Sequence, residues 1–151
     1  MFMSEYNHTL DSKGRLIMPA KYREVLGDVV VLGKSVDHCL AVYTKEQWAE
    51  FEAQVKKLED TYFTDLPVRK FARFMLSGAS EVELDKQGKM LIPQTLREYA
   101  HLSKEVVLAG VGHRIEIWDK ASWEAQSLDD DIDDIMNTMS KMGIKFSPSG
   151  N

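Results

Sequence analysis

The stretch Leu10-Asp11-Ser12-Lys13-Gly14-Arg15-Leu16-Ile17-Met18-Pro19 returns later as Leu84-Asp85-Lys86-Gln87-Gly88-Lys89-Met90-Leu91-Ile92-Pro93. The offset from Asp11 to Asp85 is 74 residues, and it also carries Arg23 onto Arg97. The agreement continues downstream. Val29-Val30-Val31-Leu32 is answered by Val106-Val107-Leu108 after a small gap. Leu40-Ala41-Val42-Tyr43 is answered by Ile115-Glu116-Ile117-Trp118, and Trp48 by Trp123, both at an offset of 75. An agreement this long marks an internal duplication, which sets the architecture before any single element is considered.

Each copy reads the same way physically. Asp at the start of the repeated segment can hydrogen-bond the backbone two residues on, and Gly three later can take a positive φ, so Asp11 to Arg15 is predicted as a hairpin tip. Leu16-Ile17-Met18 follows as a short strand. Pro19 pre-sets φ for a helix over Ala20 to Leu26, and Gly27 is a C-terminal stop. Val29 to Leu32 and Leu40 to Tyr43 are strands rich in β-branched residues. Thr44-Lys45-Glu46-Gln47 has the pattern of a capping box, opening a helix whose Trp48, Phe51, Val55 and Leu58 share one face.

The segments outside the copies differ in character. Lys56 to Leu66 is polar and is expected to hold a turn. Pro67 opens a second helix, Val68 to Leu76, with Phe71, Phe74 and Met75 toward the core and Arg69, Lys70 and Arg73 on another side. The tail holds Asp129-Asp130-Asp131 and Asp133-Asp134, a weak stripe of Ile132, Ile135, Met136 and Met139, and a loose Ser147-Pro148-Ser149-Gly150 end. The expected division is module 1 over residues 5–47, a helical linker over 48–76, module 2 over 77–120, and a C-terminal helix with an acidic tail over 121–151.

With 151 residues, 44% hydrophobic and 28% charged, the chain suits roughly one folded domain of about 150 residues. No stretch approaches the roughly 18 apolar residues of a membrane span, and Met1 to Tyr6 lacks the basic flank and apolar run of a signal peptide. Cys39 is the single cysteine, so an intrachain disulfide is excluded and a cytoplasmic setting is expected.

The net charge of −5 argues against nucleic acid when taken alone, because phosphate binding needs a positive surface. The distribution says otherwise. Residues 128–151 carry a net −3, whereas Asp11 to Arg23 carries four cations and one anion. Lys13 and Arg15 alternate near the expected tip, and Lys89 keeps a cation in the second copy. A two-stranded ribbon fits the DNA major groove, where arginine can bind guanine bidentately and lysine can hold phosphate. Against this stands the plainer reading, an ordinary solvated turn. Lys21, Arg23 and Arg97, on the short helices, either extend the basic surface or belong to a solvated helix face.

Enzyme readings have little support. His8, His38, His101 and His113 form no ligand-spaced pair, so no metal site is expected. His113 reads as a hydrogen-bonded structural residue and Cys39 as a small buried apolar one. Asp11 and Asp85 form a conceivable carboxylate pair, but each has a cation close by, which favours ionised turn aspartates. Gly110-Val111-Gly112 lacks the residues of a phosphate loop.

Met1-Phe2, the Leu10 to Arg15 segment followed by Pro19, Glu83 to Gly88, Arg73 to Ala79 and Arg114 to Trp118 together resemble the MraZ family, bacterial transcriptional regulators with two tandem SpoVT-AbrB-type modules. The resemblance covers roughly residues 1–127. It implies an α+β fold in which the modules interlock as a pseudo-symmetric, swapped-hairpin β-barrel with outer helices. It implies a homo-oligomeric ring that binds double-stranded DNA at promoter direct repeats of the division and cell wall gene cluster, its own promoter included, in the cytoplasm and nucleoid. It implies no enzyme activity, cofactor, metal, membrane or small-molecule substrate. Carried over by motif, Ser12, Lys13, Gly14, Arg15, Lys86 and Lys89 face DNA, with Lys21, Arg23 and Arg97 in support. Lys89 departs from the family pattern, which has Arg there; lysine keeps the charge but loses the planar fork. The alternative is a ring-forming protein-interaction scaffold without specific DNA binding, which the acidic tail favours. An AbrB-type antitoxin is disfavoured by the two modules in one chain.

Overall fold

The computed structural model describes residues 1–127 and 131–146. Its elements run β1 (Glu5–Thr9), β2 (Arg15–Ile17), α1 (Ala20–Leu26), β3 (Val29–Lys34), β4 (Leu40–Thr44), α2 (Lys45–Thr61), α3 (Leu66–Ser77), β5 (Ser80–Glu83), β6 (Lys89–Leu91), α4 (Gln94–Tyr99), β7 (Glu105–Gly110), β8 (Ile115–Asp119), α5 (Lys120–Ala125) and α6 (Ile132–Lys141). The chain divides into two units, Met1–Lys120 and Ala121–Asn151.

The first unit is α+β and entirely antiparallel. Six strands form one sheet in the order β1-β7-β8-β4-β3-β5, and β2 and β6 form a separate two-stranded ribbon. The two copies exchange strands. First-copy β1 pairs with second-copy β7, second-copy β5 with first-copy β3, and the ribbon takes one strand from each. Among the described residues the sheet ends at β1 and β5 without closing on itself.

This pairing corrects the hairpin reading. The chain does reverse at Asp11–Arg15, where the Asp11 N–H donates to the Arg15 carbonyl at 3.0 Å. Beyond that bond the flanking strands part: β1 joins the sheet and β2 turns to β6. Each copy therefore supplies half of a shared ribbon and no self-contained two-stranded projection. Hydrophobic alternation shows the cause. A three-residue strand has one inward side chain, Leu16 or Met90, and these two sit opposite each other with almost no exposure. Paired, they cap a core that includes Met18, Ile92, Leu32 and Leu108.

The helices follow their local signals. Pro19 and Pro93 precede α1 and α4, and Gly27, at φ 78°, ends α1 where a side chain at Cβ would be strained. The capping box of α2 is present, with the Gln47 N–H donating to Thr44 Oγ1 and the Thr44 N–H to Gln47 Oε1, both at 3.0 Å. Trp48 and Val55 are buried, Phe51 is half-buried and Leu58 is exposed. The helix runs to Thr61, with Lys56 paired to Asp60 at 3.2 Å, and the expected turn falls at the end of the polar segment, where the Asp65 N–H donates to the Tyr62 carbonyl at 3.0 Å. In α3, Met75 is buried and Phe74 half-buried, but Phe71 is exposed and does not reach the core.

In the second unit α6 carries part of the expected stripe: Ile135, Met136 and Met139 are half-buried, but Ile132 is exposed, as are Asp131, Asp133 and Asp134. Asp129, Asp130 and Ser147 to Gly150 lie outside the described residues.

Because the copies interleave, the first unit is expected to unfold as one. Met90→Ala, which empties a fully buried site under the ribbon, should cost about 2–5 kcal/mol. Urea denaturation followed by circular dichroism should show a lower midpoint and a single transition; two separate transitions would contradict the interleaving.

Candidate nucleic-acid interface

The two repeated turns are built alike. Asp11 Oδ1 accepts the N–H groups of Lys13 and Arg15, each at 2.9 Å. Asp85 Oδ1 accepts those of Gln87 and Lys89, each at 2.9 Å. The Gly14 and Gly88 N–H groups close the turns onto the Asp11 and Asp85 carbonyls at 3.0 and 2.9 Å. With Gly14 at φ 80° and Gly88 at φ 83°, each is a three-residue loop ending in a left-handed glycine. The backbone N–H groups hold both carboxyls below the usual aspartate range, from Arg15 first in Asp11 and from Lys89 first in Asp85. Each carboxylate is engaged by the N–H groups of its own turn and not by the other aspartate.

The turns sit at opposite ends of the ribbon. The Ile92 N–H donates to the Gly14 carbonyl at 3.0 Å, and the Met18 N–H to the Gly88 carbonyl at 2.9 Å. In the ribbon Arg15 faces Leu91 and Ile17 faces Lys89. Residues directly opposite share a face, so Arg15, Ile17, Lys89 and Leu91 form the outer face and Leu16 and Met90 the buried one. Arg15 and Lys89 are diagonal neighbours, about 7–8 Å apart by antiparallel geometry. Ser12, Lys13 and Lys86 are exposed on the turns, and Lys21 is exposed on α1.

Arg15 is held but not hidden. Its Nε donates to Asp11 Oδ2 at 2.7 Å, and its side chain remains 40% exposed. Among the described residues its terminal Nη groups have no hydrogen-bond partner, so the bidentate edge is available while the stem is fixed. Lys89 makes no ion pair with Asp85 matching that of Arg15 with Asp11 among the described residues; its charge acts on Asp85 from a longer distance.

Arg23 and Arg97 have a different place from a solvated helix face. Each lies half-buried beneath the turn of the other copy. A Cβ on Gly14 would come within 2.7 Å of the Arg97 guanidinium, and one on Gly88 within 2.7 Å of Arg23. Arg97 Nε donates to the Ile92 carbonyl at 2.9 Å, whereas Arg23 Nε is buried without a partner among the described residues. The sequence carried a signal for this: Gly14/Gly88 and Arg23/Arg97 repeat at the same offset.

The remaining candidates are structural. Cys39 is buried, and burial pushes its thiol up to about 12. His113 is exposed, and it is its backbone carbonyl that accepts from Gln47 Nε2 at 2.7 Å. No group of three or more metal-ligating side chains occurs among the described residues.

Gly14→Ala and Gly88→Ala should each destabilise by about 1–3 kcal/mol, since a left-handed backbone and a collision with arginine add together. Thermal unfolding of each variant checks this. Arg97→Met should cost about 1 kcal/mol more than Arg23→Met, because only Arg97 makes a hydrogen bond through its part-buried Nε; equal losses in urea titration would contradict the assignment. The folded carboxyls of Asp11 and Asp85 lie below their unfolded values. The stability they add is therefore complete above the ordinary aspartate value of about 3.9 and disappears as pH falls through the folded values. Asp11→Asn with Asp85→Asn should flatten this acid limb of the stability profile.

A family model described as "MraZ protein, putative antitoxin-like" matches residues 1–66 and 75–141. A protein of Acetivibrio thermocellus named transcriptional regulator MraZ is 49% identical over 146 residues, covering 95% of this chain and all of the relative. Its namesake in Alkaliphilus oremlandii is 47% identical over the same coverage. The one in Moorella thermoacetica is 53% identical over 124 residues, 82% of this chain and 85% of the relative. With both repeats matched, and near-full-length relatives sharing about half their residues, the chain belongs to the MraZ family.

Proposed function

We propose that this protein is a sequence-specific DNA-binding transcriptional regulator and that the outer face of the β2–β6 ribbon is its DNA-contacting surface. The observation that carries the reading is the shared face: Arg15 and Lys89 lie together on the ribbon, with Lys13 and Lys86 on the turns at its two ends. The relatives' name, transcriptional regulator, supports the same class of activity over catalysis. A two-stranded ribbon matches the roughly 12 Å width of the major groove. Arg15 presents its Nη edge to guanine O6 and N7, Lys89 supplies a point charge, and Lys13, Lys86 and Ser12 hold phosphates. Gly14 shapes its turn, Arg23 and Arg97 hold the turns from below, and Lys21 adds charge nearby.

The finer reading has the targets as promoter direct repeats of the division and cell wall gene cluster, the protein's own promoter included, met at the nucleoid. Residues 5–47 and 77–120 act as two modules interlocked in a swapped-hairpin arrangement, joined by a helical linker over 48–76 and followed by a C-terminal helix and acidic tail over 121–151. A homo-oligomeric ring answers the charge objection. One ribbon is weakly basic in a chain of net charge −5, but ribbons repeated around a closed assembly engage several repeats at high effective concentration. Successive subunits of such a ring face the same way, which suits direct repeats.

A protein-interaction scaffold is the second reading. It is favoured by Tyr62, Phe63 and Leu66, exposed together around the α2–α3 connection. A gel shift on promoter DNA at physiological salt with nonspecific competitor separates the two, since the scaffold predicts no shift.

Arg15→Ala should abolish specific retention while the assembly keeps its mass, as loss of one bidentate base contact is worth about 1–3 kcal/mol at each subunit. Lys89→Ala should weaken binding less and reduce the slope of affinity against salt. Unchanged promoter affinity in Arg15→Ala would overturn the site.

A further inference from the structure

The outer face of the ribbon carries two aliphatic side chains that a charge-based DNA contact does not need. Ile17 is 41% exposed and Leu91 53% exposed. A single exposed aliphatic residue is ordinary. These two occupy the same position in the two copies, 74 residues apart, and the pairing register sets each directly across from a cation: Leu91 opposite Arg15, Ile17 opposite Lys89. Cations and aliphatic groups thus alternate at the four corners of one small face, while Leu16 and Met90 already fill the core beneath. A binding partner complementary to this face must be anionic and must also present small apolar groups about one side chain apart. The major groove does both, with phosphates and guanine acceptors for the cations and thymine C5-methyl groups for the aliphatic chains.

We propose that Ile17 and Leu91 are specificity-determining residues that read thymine methyl groups beside the bases contacted by Arg15 and Lys89. The inference rests on the DNA-binding reading above and goes beyond it by naming a chemical group on the DNA. The spacing is suitable. Side chains directly across the ribbon lie about 5 Å apart, and diagonal ones about 7–8 Å, so the four corners span two or three base-pair steps of about 3.4 Å. The ends of the ribbon then divide the work differently. At the Arg15 end a planar fork already discriminates guanine. At the Lys89 end a flexible ammonium discriminates poorly, and the β-branched Ile17, stiff at χ1, supplies the fixed surface that favours thymine over cytosine.

The test uses the full-length chain and a duplex it selects from a random DNA pool at physiological salt. The same duplex is then made with deoxyuridine in place of every thymidine, which removes methyl groups and nothing else. The wild-type chain should bind the uracil duplex about 4–15-fold more weakly, the scale of one or two buried methyl groups. Ile17→Ala with Leu91→Ala should bind both duplexes equally, at about the wild-type affinity for the uracil form, with the chain still folded at the assay temperature and its assembly mass unchanged. Wild-type binding that ignores the methyl groups would overturn the inference while leaving DNA binding intact. So would a double variant that still senses them, or one whose assembly mass falls, since the face would then be covered by another copy. Selection of no duplex at all would remove this inference together with the DNA-binding reading beneath it.

Discussion

Leu16 and Met90 leave water because two strands from different copies of a repeat pair with each other, and much of the first unit depends on that exchange. A three-residue strand is too short to stand alone, and its partner is not its neighbour in sequence. The exchange recurs at β1 with β7 and at β5 with β3, so neither copy has a complete sheet of its own. It also places two turns, 74 residues apart in the chain, at the ends of one ribbon and gives that ribbon a charged outer face.

The exchange is locked by a reciprocal contact. Arg97 of the second copy lies under the first copy's Gly14, and Arg23 of the first lies under the second's Gly88. Each glycine meets two demands at once, a positive φ and the absence of a Cβ where a guanidinium sits. The turn aspartates add a second layer. They tie down the backbone of each loop, and Asp11 also takes Arg15 by its Nε, so the stem of that side chain is ordered before any partner arrives. Ordering a long side chain in advance lowers the entropy lost on binding. Lys89 lacks such a tether, so the two ends of the ribbon are chemically unequal although the backbone repeats.

Local chemistry was legible in the residues themselves, whereas partner choice was not, and only the family resemblance implied that the modules interlock. Asp11, Gly14, Pro19, Gly27 and the Thr44–Gln47 box each act within a few residues, and their turns, caps and stops lie where the residues place them. The alternation of Leu16 and Ile17 tells which side chain is buried, but it carries no information on which strand lies alongside. The hairpin expectation failed for that reason. Helix length is equally nonlocal in the second copy. Trp123 matches Trp48, yet α5 spans only Lys120–Ala125, and Asp119, which stands where Thr44 caps α2, accepts the Ser103 N–H at 3.0 Å and its hydroxyl at 2.6 Å. The matched repeat of Gly14/Gly88 and Arg23/Arg97 was visible in the sequence, but that each arginine lies under the other copy's glycine follows from the strand exchange.

The central claim is that the Arg15 end of the ribbon enters the major groove. Dimethyl sulfate protection at guanine N7, on a duplex carrying the bound repeats, tests it most directly. The wild-type chain should shield one guanine N7 in each repeat, and Arg15→Lys, which keeps the charge but not the fork, should re-expose that guanine while phosphate-driven binding persists. Guanine N7 groups that stay reactive under the wild-type chain, with protection confined to adenine N3 in the minor groove, would contradict the account.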